Sequence, residues 1–176
     1  WTAMPVSMTK DSDGKTAEAK ITIKAQIKDA DGNLQHVEYP LLQDIPINFI
    51  GGGGDKGNES VVFTHPVKKN DEGFVTFMTR PIDDWFEKGG AQNAVDLRSH
   101  SLSDAVLSPG LRSKPRELKH IDTTSAQLRS VDKKHVISHH PGDGPTIRSV
   151  AETQAGQDVD PFENPKTWFG SHWKAA

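Results

Sequence analysis

The chain has 176 residues, 34% of them hydrophobic, a formal net charge of −3 and no cysteine. Such a length makes one or two small domains. The missing cysteine excludes a disulfide framework or a thiolate metal site and fits assembly in a reducing cytoplasm; the near-neutral charge gives no global pull toward nucleic acid or an anionic membrane. The hydrophobic content is low for a compact monomer of this size, which fits either disorder or a protein that completes its core with other copies of itself; the strand-like runs argue for the second in most of the chain. No apolar run approaches the roughly 18 residues that span a bilayer, and no signal peptide is visible. The start at Trp1 rather than Met leaves an initial segment open.

In chain order, Met4, Val6 and Met8 alternate with other residues before a DSDG turn at 11–14, a short strand entering a turn. Residues 16–28, TAEAKITIKAQIK, alternate throughout: Ala17, Ala19, Ile21, Ile23, Ala25 and Ile27 against Glu18, Lys20, Thr22, Lys24, Gln26 and Lys28. Period two over this length predicts one strand with one wet face. Asp31-Gly32 predicts a hairpin turn, with a less clear return strand over 34–39. Pro40 and Pro46 bracket LLQDI and confine it to an edge or an irregular connection. Ile45, Ile47 and Phe49 lead into Gly51 to Gly54. Four glycines invite a phosphate-loop reading, but no GK[ST] and no helix follow, so a bulge or wide turn is the better reading. Residues 60–64 and 74–79 read as strands around a loop at 66–73. Short strands, Gly/Pro turns and no amphipathic helix give an all-β fold, a small barrel or sandwich.

Residues 81–113, PIDDWFEKGGAQNAVDLRSHSLSDAVLSPGLRS, combine a strand-ending proline, acidic and aromatic residues, a Gly89-Gly90 break, a polar run and an apolar run closed by Pro109-Gly110. By themselves they read as a long connector between strands. With the upstream text they form an ordered series of short motifs: Tyr39-Pro40; Asp44-Ile45-Pro46; the glycine run; His65-Pro66; Asn70-Asp71-Glu72; Arg80 with Ile82-Asp83 and Trp85; Gly89-Gly90; Arg98 with His100 and Leu102 to Ala105; Pro109-Gly110 with Arg112. In this order and spacing, residues 15–113 closely resemble the N-terminal domain of the gp138-type phage baseplate spike family. Two departures stand out: His65 where the family has another aromatic before the proline, and Asn70 where it has glycine in a "GDE" turn. The resemblance implies a five-stranded OB-type β-barrel over 1–113. It also implies a homotrimer whose chains intertwine in a needle-like β-stem beyond the barrel, at the centre of a contractile tail baseplate.

Residues 114–150 change character, with seven basic residues against four acidic ones, a balance of +3. AQLRSV, KHVISHH and PTIRSV are short strand-like runs with few large apolar side chains. Such a segment cannot bury enough surface to fold by itself, but three copies around one axis share a core. Residues 151–161 read as a polar linker. Phe162, Trp168, Phe169 and Trp173 follow in a polar tail, where aromatics are expected to dock at an apex or on a neighbouring protein.

Chemistry-bearing clusters are few. His139-His140 are adjacent, which in a strand points them to opposite faces, and no His-x-His pair occurs; no metal and no cofactor are expected. Asp83-Asp84 make a poor acid–base pair on a strand end. His100, Ser101, Ser103 and Asp104 hold the residue types of a Ser–His–Asp site, though Asp104 after a serine suits a turn or helix cap equally well. No enzymatic activity is expected. OB-type barrels can also bind single-stranded nucleic acid through basic grooves with stacking aromatics, the alternative function here. Residues 1–113 carry twelve basic and sixteen acidic residues, and Tyr39, Phe63 and Phe77 are not interleaved with lysine or arginine.

The expectation is therefore a structural virion protein, assembled in the host cytoplasm: a homotrimeric central spike or hub that pierces the host envelope on contraction. Its other partners are baseplate hub and tail tube proteins, with no specific nucleic acid. The residues expected to carry structure or interface are Asp83, Trp85, Phe86, Arg98, His100, Asp104, Trp168 and Trp173, with Trp85 largely buried against the barrel.

Overall fold

The computed structural model describes residues 2–53, 61–142, 144–149, 151–152 and 158–159. The chain divides into two units, Trp1–Arg116 and Glu117–Ala176.

The first unit contains β1 (Ala3–Met8), β2 (Thr16–Ile21), β3 (Ala25–Lys28), β4 (Leu34–Val37), β5 (Leu42–Pro46), β6 (Gly51–Gly52), β7 (Val61–Val62) and β8 (Glu72–Phe77). A short helix α1 (Asp83–Lys88), a 3-10 turn at Leu102–Asp104 and β9 (Ala105–Pro109) follow. Five strands form one antiparallel sheet in the order β5-β2-β1-β8-β9. A parallel bridge between Ile47 and Leu107 brings the two outer strands together, reinforced by the Asn48 amide donating to the Leu107 carbonyl at 2.8 Å. Taken as first to fifth, these strands run third-second-first-fourth-fifth and nearly close back on the third. This is an OB-type barrel.

Alternation builds its interior. Val6 and Met8, Ala17, Ala19 and Ile21, Leu42 and Ile45, Val75 and Phe77, and Ala105 and Leu107 are all buried. A register shift between Ala17 and Ala19 keeps β5 on β2 while the sheet curves, the usual effect of a bulge. Gly73 on β8 pairs with Pro109 on β9. A Cβ there would stand 2.7 Å from the Ser108 carbonyl oxygen, so only glycine fits.

The single long strand predicted over 16–28 is two. β2 ends at Ile21, paired with Val6; the next position on β1 is Pro5, which has no N–H to continue the ladder. The chain bends at Thr22, whose amide and hydroxyl both donate to the Pro5 carbonyl, at 3.0 and 3.1 Å. It then starts a separate hairpin, β3–β4, turned at Asp29–Asn33 as Asp31-Gly32 predicts. Ile23, Ile27, Leu34 and Val37 consequently sit exposed rather than in the core. The glycine run opens a small ribbon, Gly51–Gly52 on Val61–Val62.

In the second unit β10 (Ala126–Arg129), β11 (His135–His140) and β12 (Gly144–Ser149) form an antiparallel meander, matching the three short runs of the sequence. Residue pairs β13 (Ala151–Glu152) and β14 (Asp158–Val159) form a further ribbon. Leu128, Ile137 and Ile147 are paired across β10, β11 and β12, which puts them on one face. They are 60%, 48% and 52% exposed. Among the residues of this unit whose burial is described, none is buried.

Candidate functional site

The segment 81–105 folds around one arginine. Asp104 ends a 3-10 turn that Ser101 caps by accepting from the Ser103 amide, and it is fully buried. A buried carboxylate needs a full set of partners. Its Oδ2 accepts from Arg98 Nε at 2.8 Å, and its Oδ1 from Arg98 Nη2 at 2.9 Å and from the Ile82 amide at 3.2 Å. This is the two-pronged arrangement that matches a guanidinium to a carboxylate. Arg98 Nη1 also donates to Asp96 at 2.7 Å, and Nη2 to Asp83. Hydrogen bonds to Asp104 first, then to Asp83 and Asp96, push the guanidinium above its already high ordinary pKa. One permanent cation thus satisfies three carboxylates from three different pieces of chain.

His100 serves the same framework from the barrel side. It adopts a positive φ of 50°, its amide donates to the Met78 carbonyl at 3.0 Å, and its Nδ1 lies 3.1 Å from the Phe77 carbonyl. Ser101 and Ser103 bond each other through their hydroxyls at 2.9 Å. The Ser, His and Asp side chains noted in the sequence therefore point to separate structural partners: His100 to a backbone carbonyl, Asp104 to Arg98.

Asp83 and Asp84 lie on a helix, which corrects the strand-end reading. The sequence DDWFEK has its acids in the first turn and Lys88 in the last, the order that suits the helix dipole. Asp84 pairs with Lys88 at 2.9 Å. The helix stops at Gly89, φ 68°, and Gly90 follows at φ 64°, a backbone that explains the glycine pair. Six residues make fewer than two helical turns, too short a window for the helical period to show in the sequence.

Trp85 is the second correction. It is 54% exposed, and Phe86 44%; no residue of α1 is buried. The helix touches the barrel through polar groups, Asp83 on Arg98 and the Ile82 amide on Asp104, so its aromatic residues are left facing outward. Trp168 and Trp173 lie outside the described residues. His139 and His140 sit on β11. Among the described residues no cluster of three or more metal-ligating side chains occurs.

Both departures from the motif series have a local explanation. Asn70 has φ 68°, a left-handed conformation that asparagine tolerates best after glycine. His65 packs edge-on against Phe49, ring centres 5.5 Å apart and planes at 85°, and so does an aromatic's work. Asp96, the third carboxylate on Arg98, was missed; its only signal in the sequence is DLR, an acid two residues before an arginine.

A family model described as the phage protein Gp138 N-terminal domain matches residues 4–110. The chain belongs to that family. Membership makes this Gp138-type chain a phage structural protein and a virion component. The matched stretch takes in all five barrel strands except Ala3, together with the Arg98 clamp and α1. No curated protein matches the chain.

Proposed function

We propose that this Gp138-type protein is the homotrimeric central spike or hub of a contractile phage tail baseplate, and that it pierces the host envelope when the sheath contracts. The work is mechanical. It asks for stiffness and cohesion between chains, not for turnover, and the protein is not an enzyme in this reading. Its partners are two further copies, neighbouring hub and tube proteins, and the envelope, without specific nucleic acid. Family membership supports the phage setting. The observation that carries the assembly is the second unit: a three-stranded sheet with the uncharged row Leu128–Ile137–Ile147 uncovered and no buried residue of its own among those described. Such a sheet gains an interior when identical rows meet.

Native mass spectrometry is expected to give three chains per particle, and gold-labelled antibody is expected to mark the baseplate of intact phage. A stable monomer across dilution removes the trimer. Labelling confined to another part of the virion removes the baseplate role.

A further inference from the structure

Two surfaces of the barrel unit stand open, one aromatic and acidic, the other an apolar groove. The first is α1. Its Trp85 and Phe86 are exposed and no residue of the helix is buried, and tryptophan is enriched among the anchor residues of interfaces. The helix is nevertheless held in a fixed place by Arg98 on Asp83 and Asp104 on the Ile82 amide, and a preorganised anchor loses little entropy on docking. Its charge is acidic: Asp83, Asp84 and Glu87 against Lys88.

The second surface is a groove of about 270 Å³, walled by Pro5, Val6, Thr22, Gly73 and Leu111, with Arg112 at its rim. Glu72 also lines it; its carboxylate accepts from the Ser113 amide at 2.7 Å and the Ser113 hydroxyl at 2.8 Å and lies in the field of Arg112 and Arg116, offsetting part of their charge. Pockets for metabolites run from about 300 to 1,000 Å³ and carry convergent polar groups. This groove is smaller and mostly apolar, a receptacle for one large side chain. Arg112 lines it, and Lys114 and Arg116 follow in the chain with no acid among residues 111–116, Arg116 donating to the Asn70 carbonyl. Another apolar groove of similar size, lined by Phe49, Ile50, Phe63 and Pro109, has no lysine or arginine among its lining residues.

We infer that Trp85 of one copy seats in the Leu111–Arg112 groove of a second copy, acidic helix against basic rim. The inference rests on the homotrimer reading above. Two different patches on one chain make a head-to-tail contact, which closes into a ring when the rotation allows. It gives the barrels a cohesion separate from that of the β10–β12 sheet.

The absence of cysteine makes the contact directly testable by disulfide trapping. Glu87→Cys and Leu111→Cys together are expected to give covalent dimers and trimers on mild oxidation, and each alone to give none. Rising salt should slow the reaction, because exposed opposite charges are screened. Trp85→Ala in the double variant should cut the yield by about tenfold or more, as loss of an anchor does. A second pair, Lys88→Cys with Arg112→Cys, guards against a local misfit at the first. Neither pair cross-linking while the native mass stays at three chains overturns this contact and leaves the homotrimer standing. A monomeric native mass overturns both. Cross-linking by a single variant, or cross-linking indifferent to Trp85→Ala, also overturns the head-to-tail seat.

Discussion

The barrel and the β10–β11–β12 sheet are both antiparallel, and both alternate regularly. In the barrel, alternate residues of five strands meet across an enclosed interior, and Phe77, Met8, Leu107, Val6 and Val75 are fully buried there. In the meander, the corresponding row of Leu128, Ile137 and Ile147 has no second layer among the described residues of its unit. The lesson is that strand pattern specifies a face, while the number of strands and the closing bridge at Ile47–Leu107 decide whether that face has anything to pack against. A five-stranded sheet can curve round to cover itself; a three-stranded one cannot.

Separating the two units is expected to have the largest effect. A chain ended after Arg116 should keep its β-type circular dichroism and a cooperative melt. Residues 117–176 alone should lose theirs on dilution, because stability held between copies depends on concentration. A dilute, monomeric and cooperatively folded 117–176 fragment would show that the second unit has its own core and erase the contrast.

Next come single apolar deletions. Phe77→Ala removes a fully buried ring and should cost about 3–5 kcal/mol, independent of protein concentration. Ile137→Ala should cost about 0.5 kcal/mol or less in the dilute single chain, as at other exposed positions, and progressively more as copies associate. Denaturant titrations at several concentrations distinguish the two patterns. Equal, concentration-independent losses would mean that both rows are covered in the same way.

Smaller again is Asp104→Asn. The amide keeps the shape but gives up charge-assisted bonds to Arg98, and about 2 kcal/mol should be lost. Hydrogen exchange should rise first in α1, since Asp104 and Arg98 hold it at Ile82 and Asp83. Uniform loosening of the barrel with α1 unchanged would mean that the clamp serves the core rather than the helix.

How much of this was legible in the sequence follows from range. The Asp31-Gly32 turn, the edge role of the Pro40–Pro46 segment and the three short runs after 125 are set by neighbours in the chain, and the sequence shows them. Where β2 stops depends on Pro5 facing Thr22 across the sheet, a pairing that alternation in 16–28 cannot reveal. Asp83, Arg98, His100 and Asp104 were singled out as a group through the family resemblance; that Asp104 is buried and Arg98 answers it needs the fold. Trp85 was expected to pack against the barrel with the run from Ile82 to Phe86, whereas its helix is held by polar contacts at one end and shows the ring to solvent. The aromatic tail, Trp168 and Trp173 included, lies outside the described residues.

The smallest effect expected is an acid limb that belongs to the second unit. Asp122 precedes β10, and its Oδ1 accepts from the Thr124 amide at 2.8 Å, the Thr124 hydroxyl at 2.7 Å and the Ser125 amide at 3.2 Å. These bonds, Thr124's amide foremost, lower its pKa from 3.8 to about 2. A carboxylate with a depressed folded-state pKa lends stability that is fully present above its unfolded value and lost as pH falls through the folded one. The turn into β10 should therefore hold its geometry at neutral pH and weaken between about pH 4 and pH 2. Asp122→Asn should flatten that limb, because the amide oxygen still accepts but no longer titrates. The amide shifts of Thr124 and Ser125, followed by NMR through the acid range, read this turn directly. The barrel has its own depressed carboxylate, Glu72, held down by the Ser113 amide and hydroxyl, and its acid response should survive Asp122→Asn unchanged. Loss of both responses together would mean that the two units titrate as one cooperative body, and the contrast between them would fail at its most sensitive point.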